Sequence, residues 1–220
     1  KYLIDENTML AAGNCQTSQA MAIYYNIFEP AERKAAFEQL INLIEEQEYH
    51  LDVGVLGGRV LFHVLTDFGY SDLAFSMITR PDYPSYGNWI ARGATTLWEV
   101  FQPEGSEHIG SLNHHFWGDI SSWFTQALSG IRMAPHGEPN EADFRPSFIS
   151  RLTHAEAFHI APAGRIASAW ERDENDVIVL TVELPSTMHG VIRLESGYVF
   201  EDGLAYKAAE SGTYRIHSIE

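Results

Sequence analysis

A single cysteine, Cys15, stands in 220 residues. One thiol excludes an internal disulfide framework and a cysteine-based zinc site. Basic residues are also scarce. Lys and Arg number 14 against 30 Asp and Glu, a formal net charge of −16. Such a field repels polyanions and argues against a nucleic-acid partner. The sequence has no apolar run of roughly 18 residues or more, so no membrane-spanning helix is expected. The opening residues, Lys1-Tyr2-Leu3-Ile4-Asp5-Glu6, carry neither a signal-peptide pattern nor an initiator Met. The sequence therefore reads as a piece of a longer polypeptide, and its compartment (periplasmic, secreted or cytoplasmic) stays open. Missing too are the GxSxG elbow, the phosphate-binding loop, the dinucleotide fingerprint and HExxH. A metal reading would need His108, His114 and His115 with Glu99 or Glu107, which follow no recognised ligand spacing. Neither a metal nor another cofactor is expected.

Hydrophobic residues, by contrast, make up 45% of the chain and aromatics 12%. A packed core is therefore expected, with rings to spare for stacking. The first half reads as helical. Residues from about 17 to 28 form one amphipathic stretch that Thr17 or Ser18 can cap. Pro30 suits the first turn of a second helix, whose face is Phe37, Leu40, Ile41 and Ile44 at i, i+3, i+4, i+7. The glycines of Tyr49–Gly58 interrupt this period. Leu61, Val64, Leu65 and Phe68 mark a third helix that Gly69 ends, and Ser71 can cap a fourth. Asp82–Trp89 reads as a loop rich in turn residues and aromatics. Gly93-Ala94-Thr95-Thr96-Leu97-Trp98-Glu99 follows, where a threonine can cap a short helix carrying Trp98 and Glu99. A last helix has Phe116, Ile120, Trp123, Phe124 and Ala127 on one face.

Past Gly130 the period changes to two. Ile178, Leu180, Val182 and Leu184 alternate with polar residues. Further strand candidates are 157–160, 165–171, 189–195 and 213–219, separated by turn residues. Short strands at this spacing predict a small antiparallel β-sandwich. The expected organisation is mainly α followed by all-β: helical hairpins over 1–134, a linker over 135–143 and a sandwich over 144–220.

Three groups could carry chemistry. Glu99 sits among apolar neighbours, where a carboxylate can serve as a general base, yet the same spacing fits the polar face of a short helix. His114, after Asn113, can bond a ligand hydroxyl or stabilise its own helix end. Tyr83, Tyr86 and Trp89 can stack on sugar rings or pack their own loop. The residues by themselves leave each pair of readings open.

Together, though, Gln16-Thr17-Ser18-Gln19-Ala20, Tyr49-His50-Leu51, Asp82-Tyr83-Pro84-Ser85-Tyr86-Gly87, the Gly-Ala-Thr-Thr-x-Trp-Glu block at 93–99 and Ser111-Leu112-Asn113-His114 resemble the bacterial α-L-rhamnosidases, glycoside hydrolase family 78. The likeness runs through nearly the whole chain in order. It implies that the helical part is the C-terminal portion of an (α/α)6 barrel and the β part the sandwich that follows it. It implies that Glu99 is the general base of an inverting hydrolysis, with His114, Tyr86, Trp98, Trp89 and Asn113 around the sugar. Tyr86 and Phe101 stand where the family commonly has Trp, so both positions keep a ring of smaller size. The implied partners are a rhamnose-containing carbohydrate and the upstream half of the same polypeptide, which would hold the general acid. The chain by itself would then turn over little. The competing expectations are another (α/α)6 glycoside hydrolase of different sugar specificity, or a non-catalytic fragment that only binds glycans or supports a larger assembly.

Overall fold

The computed structural model describes residues 2–107 and 110–219. The chain divides into two compact units, Lys1–Ile120 and Ser121–Glu220. The first opens with a short antiparallel pair, β1 (Ile4–Asp5) and β2 (Leu10–Ala11). Helices α1 (Gln16–Tyr24), α2 (Arg33–Glu46), α3 (Val55–Gly58), α4 (Leu61–Asp67), α5 (Ser71–Thr79) and α6 (Tyr86–Ala91) follow. A 3-10 turn spans His115–Trp117, and α7 runs over Asp119–Trp123. Among the described residues no helix is long and apolar enough to cross a membrane.

Helix α2 buries Phe37, Leu40 and Ile44, three of the four residues of its predicted stripe. Phe37 also stacks on Phe68 just past α4, at 4.1 Å and nearly parallel. Gln19 stitches the start of the chain to this core. Its side chain is fully buried, accepts from the Ala11 N–H at 2.7 Å and donates to the carbonyls of Met9 at 2.9 Å and Ala36 at 2.8 Å. Three backbone groups that would otherwise be stranded away from water are thereby satisfied.

Several boundaries differ from expectation. Helix α1 stops at Tyr24, two residues before Asn26 enters the left-handed region at φ 55°. Cys15, not Thr17 or Ser18, occupies its N-cap, and Tyr70, not Ser71, that of α5. Pro30 lies in a turn ahead of α2. The larger corrections lie around the opening motif. Ser85 Oγ accepts the Asn88 N–H at 2.8 Å, so Tyr86 and Trp89 sit on a capped helix and not on a loop. Trp98 and Glu99 sit on no helix; 95–101 is irregular chain. The predicted last helix is a 3-10 turn, then α7, then a π-helical stretch over Phe124–Leu128. It buries Ile120, Trp123 and Ala127 and leaves Phe116 and Phe124 exposed.

The second unit holds β3 (Ile131–Met133), β4 (Ala142–Phe144), β5 (His154–Ala161), β6 (Gly164–Arg172), β7 (Ile178–Glu183), β8 (Val191–Arg193), β9 (Tyr198–Phe200), β10 (Tyr206–Ala208) and β11 (Gly212–Ser218). They form a four-stranded sheet ordered β10-β8-β4-β3 and a five-stranded sheet ordered β5-β6-β7-β11-β9. One core joins the sheets, with Ile131, Phe144 and Ile192 from the first and Ile166, Trp170, Leu180 and Ile216 from the second. The alternation read in 178–184 is the buried face of β7. Two expectations change. The smaller sheet is mixed, because β4 and β8 run parallel through Phe144 and Ile192. The stretch expected as a linker also ends inside the sheet, since Ala142 and Asp143 are buried residues of β4.

Replacing Gln19 with Leu should lower stability by roughly 3 kcal/mol or more, because buried backbone groups lose their partners. Urea unfolding would measure this, and a loss under about 1 kcal/mol would refute the stitching role of Gln19.

Candidate active site

Without a helix to hold it, the Leu97–Phe101 stretch is held by its neighbour. The Glu99 N–H donates to the Ser111 carbonyl at 2.9 Å, and the His114 N–H donates to the Leu97 carbonyl at 2.8 Å. Thr96 Oγ1 donates to the Leu112 carbonyl. The two blocks singled out in the sequence are therefore laced together. Glu99 is held at its N–H, its carbonyl and one carboxylate oxygen. Trp117 Nε1 donates to its carbonyl at 2.9 Å, and its carboxylate Oε2 accepts the Ser111 N–H at 2.7 Å. Gly110 stands against that oxygen at φ 94°, where a Cβ would lie 2.8 Å from Oε2. His114 Nδ1 lies 3.6 Å from the same oxygen. The side chains of Glu99 and His114 are 41% and 22% exposed, so both remain reachable.

Beneath this stretch is a floor of rings. Trp89 stacks on Phe101 at 4.3 Å, Trp117 tilts against Phe101 at 4.7 Å, and Tyr86 meets Phe101 edge-on at 5.6 Å. Tyr86 is 7% exposed and Trp89 2%. The Tyr86 hydroxyl donates to the Trp117 carbonyl at 3.2 Å. Burial pushes its phenol well above the ordinary range, and the charge of Asp119 adds to this. Trp98 is half-buried beside the floor, with the Arg92 guanidinium 5.2 Å from its ring.

An open cavity of about 510 Å³ lies over Glu99. Glu99, Val100, Phe101 and Trp117 form one side, and Leu51–Val55 with Tyr83 and Pro84 another. Tyr86 and Trp89 do not line it; they support its floor. Asn113 is exposed on the turn, where its N–H bonds Ser111 Oγ at 3.0 Å. Reasoning from sequence missed Asp52, a second carboxylate in the wall. The buried Gln16 amide places it, donating to the His50 carbonyl at 2.9 Å and accepting the Asp52 N–H at 3.1 Å. Adjacency to His50-Leu51 was the only signal for Asp52, and a contact spanning dozens of residues leaves no local pattern. Asp82 ties the two segments of that second side, residues 51–55 and 83–84, to each other. It takes a two-pronged contact from Arg80, at 2.9 and 2.7 Å, and stands 2.9 Å from His50 Nε2. The Arg80 fork, then the His50 bond, hold its carboxyl well below the usual carboxylate range.

Among the described residues no group of three or more His, Cys, Asp or Glu is placed to hold a metal ion. His108, which the metal reading invoked, lies outside the described residues. The chemistry on offer is that of a half-exposed carboxylate with one oxygen already bonded, beside an imidazole, over an aromatic floor. Such a group can draw a proton from a water in the cavity.

Known proteins share this arrangement of chain. The sequence profile of the bacterial alpha-L-rhamnosidase 6 hairpin glycosidase domain matches residues 1–128. That of the bacterial alpha-L-rhamnosidase C-terminal domain matches residues 140–197. An alpha-L-rhamnosidase of Streptomyces avermitilis is 28% identical over 93% of this chain and 21% of its own length. One from Alteromonas sp. (strain LOR) is 32% identical over 100% of this chain and 25% of its own. The crystal structure of the S. avermitilis enzyme complexed with L-rhamnose superposes with a TM-score of 0.84 at 27% identity, covering 97% of this chain and 22% of that one. The α-L-rhamnosidase from Dictyoglumus thermophilum gives 0.81 at 26% identity, over 98% of this chain and 27% of that one. This chain thus spans about a fifth to a quarter of the length of these relatives.

Asp82 gives the cavity a pH signature. Its carboxyl is depressed in the folded chain, so its stabilisation is present above the ordinary carboxylate value of about 4 and is lost as pH falls below it. Asp82→Asn should therefore lower the urea midpoint at pH 7, and the gap to the unaltered chain should close on acidification below about pH 4. A gap that stays constant with pH would mean the carboxylate charge is not what ties these two segments.

Proposed function

The chain belongs to the bacterial α-L-rhamnosidase family, and from that premise we propose that it is the base-carrying part of an inverting α-L-rhamnosidase. The helical unit contributes hairpins to the C-terminal portion of an (α/α)6 barrel, and the β unit is the sandwich that follows. The substrate is a carbohydrate with terminal α-L-rhamnosyl residues. A rhamnosidase relative was crystallised with L-rhamnose, which favours that sugar over others.

One observation carries the mechanism: Glu99 is fixed at the cavity by its own N–H, carbonyl and Oε2. Because Oε2 already accepts the Ser111 N–H, Oε1 takes the water. Glu99 takes a proton from that water as its oxygen attacks the anomeric carbon. The glycosidic C–O bond breaks on the opposite face, and the departing oxygen receives a proton from a second carboxylic acid. The configuration inverts. In this geometry the two carboxyl groups stand roughly 6.5–9.5 Å apart, leaving room for the water. The acid is assigned to the upstream part of the polypeptide, so this chain by itself is expected to bind weakly and turn over little. His114, 3.6 Å from Glu99, and Asp52, across the cavity, bond sugar hydroxyls. Trp98 and Asn113 flank that subsite. Tyr86 and Trp89 set its depth from below.

In the complete polypeptide, Glu99→Gln should lower kcat roughly 10²–10⁴-fold on aryl α-L-rhamnosides without changing the melting temperature. Near wild-type turnover would remove Glu99 from the chemistry. Proton NMR should find the β-anomer of rhamnose as the first product, and first-formed α-anomer would sink the inverting route. Asp52→Asn should raise KM several-fold with kcat nearly kept. A fall in kcat that a better leaving group relieves would instead make Asp52 the acid.

A further inference from the structure

The second unit contains a cavity of about 680 Å³ that hydrolysis at Glu99 leaves unused. Two guanidinium groups, Arg132 and Arg145, and two imidazoles, His136 and His159, line it. Thr125 and Gln126 add a hydroxyl and an amide from the π-helical stretch. Among the described residues no carboxylate lines this wall, in a chain of net charge −16. The nearby acids do not line it, and two of them hold its Arg145 and His136 in place. Asp143 is 1% exposed; it takes Arg145 Nη2 at 2.7 Å and the Val191 N–H at 3.0 Å. Glu141 is buried; it takes the His136 N–H at 3.0 Å and lies 3.8 Å from His136 Nε2. The bond to Asp143 uses Nη2 of Arg145, whose side chain is 30% exposed. Anchoring acids off the lining and cationic heads on it make a wall that attracts anions against the overall field of the chain.

We propose that this cavity binds a carboxylate-bearing sugar, a hexuronic acid unit of an acidic glycan. Planar guanidinium forks match a carboxylate in two-point fashion. Thr125, Gln126 and the two imidazoles suit ring hydroxyls. The volume lies within the range of roughly 300–1,000 Å³ typical of ligand sites, whereas an inorganic anion would leave most of it empty. The sugar half of this assignment rests on the glycosidase reading above; the anionic half rests on the lining alone. The site would hold an acidic glycan through the β unit while the neutral sugar is cut at the helical unit.

Isothermal titration of the 220-residue chain with galacturonic acid, its methyl ester and inorganic phosphate tests this directly. Saturable binding of the acid is expected, with the ester weaker by about tenfold or more, because esterification removes the charge-assisted bonds. Phosphate should bind more weakly than the acid. Arg132→Gln should weaken the acid about tenfold, and Glu99→Gln should leave its affinity unchanged. Equal affinity for acid and ester, phosphate binding as tight as the acid, or no saturable heat would each overturn the proposal. So would an unchanged affinity in Arg132→Gln. Should that variant melt early, His159→Gln, on β5, decides instead: a several-fold loss supports the site and an unchanged affinity overturns it. Failure of rhamnoside hydrolysis in the complete polypeptide would count against Glu99 as base and leave these binding outcomes standing.

Discussion

The site depends on backbone satisfaction in a segment with no regular structure. Residues 95–101 cannot bond within themselves as a helix does, and the rings beneath them keep water out on one side. Their polar groups must find partners, and the Ser111–His114 stretch supplies them through the Leu97, Glu99 and Thr96 bonds. That requirement fixes the register of the two stretches. The register in turn decides which residues meet: Glu99 falls opposite Ser111, and His114 falls beside Glu99. A slip by one residue would turn both side chains elsewhere. The geometry around Glu99 is thus a by-product of hydrogen-bond accounting in irregular chain, and the aromatic floor makes that accounting strict.

Charge is arranged in the same economical way. A strongly acidic chain places its few cations where they hold acids in position. Arg80 anchors Asp82 beside Tyr83, and Arg145 meets Asp143 next to a parallel strand pair. In the β unit such cations also line a cavity whose described lining has no carboxylate. Net charge therefore describes what the chain repels at a distance, and local pairing describes what it can hold close by.

Much of this was legible in the sequence, and the exceptions share a cause. The stripe of α2 and the alternation of β7 were read correctly because each packs one face on a core and repeats long enough to show a period. The division into helical and β parts followed from that change of period. Helix α6 was hidden because its cap, Ser85, lies among Pro84, Tyr86 and Gly87, residues that read as a turn. Strands β3 and β4 have three residues each, too few to alternate visibly, and a parallel partner far along the chain leaves no local mark. Glu99 stayed undecided on residue grounds; only the ordered likeness of its flanking blocks gave it a role. Tyr86 and Trp89 were expected around a sugar, yet both are buried beneath the cavity and do not line it. Asp52 escaped notice because what aims it is a side chain near the start of α1.

That last feature also bears on motion. Gln16, in the first turn of α1, clasps the backbone at His50 and Asp52, contacts 34 and 36 residues along the chain. The cavity wall at Asp52 is therefore braced by the start of that helix. Fraying at the start of α1 would release the wall, so opening of the helix end and loss of the pocket should be one event. Amide exchange at Asp52 would then report on helix α1, and the cavity would breathe on the timescale of the helix that braces it.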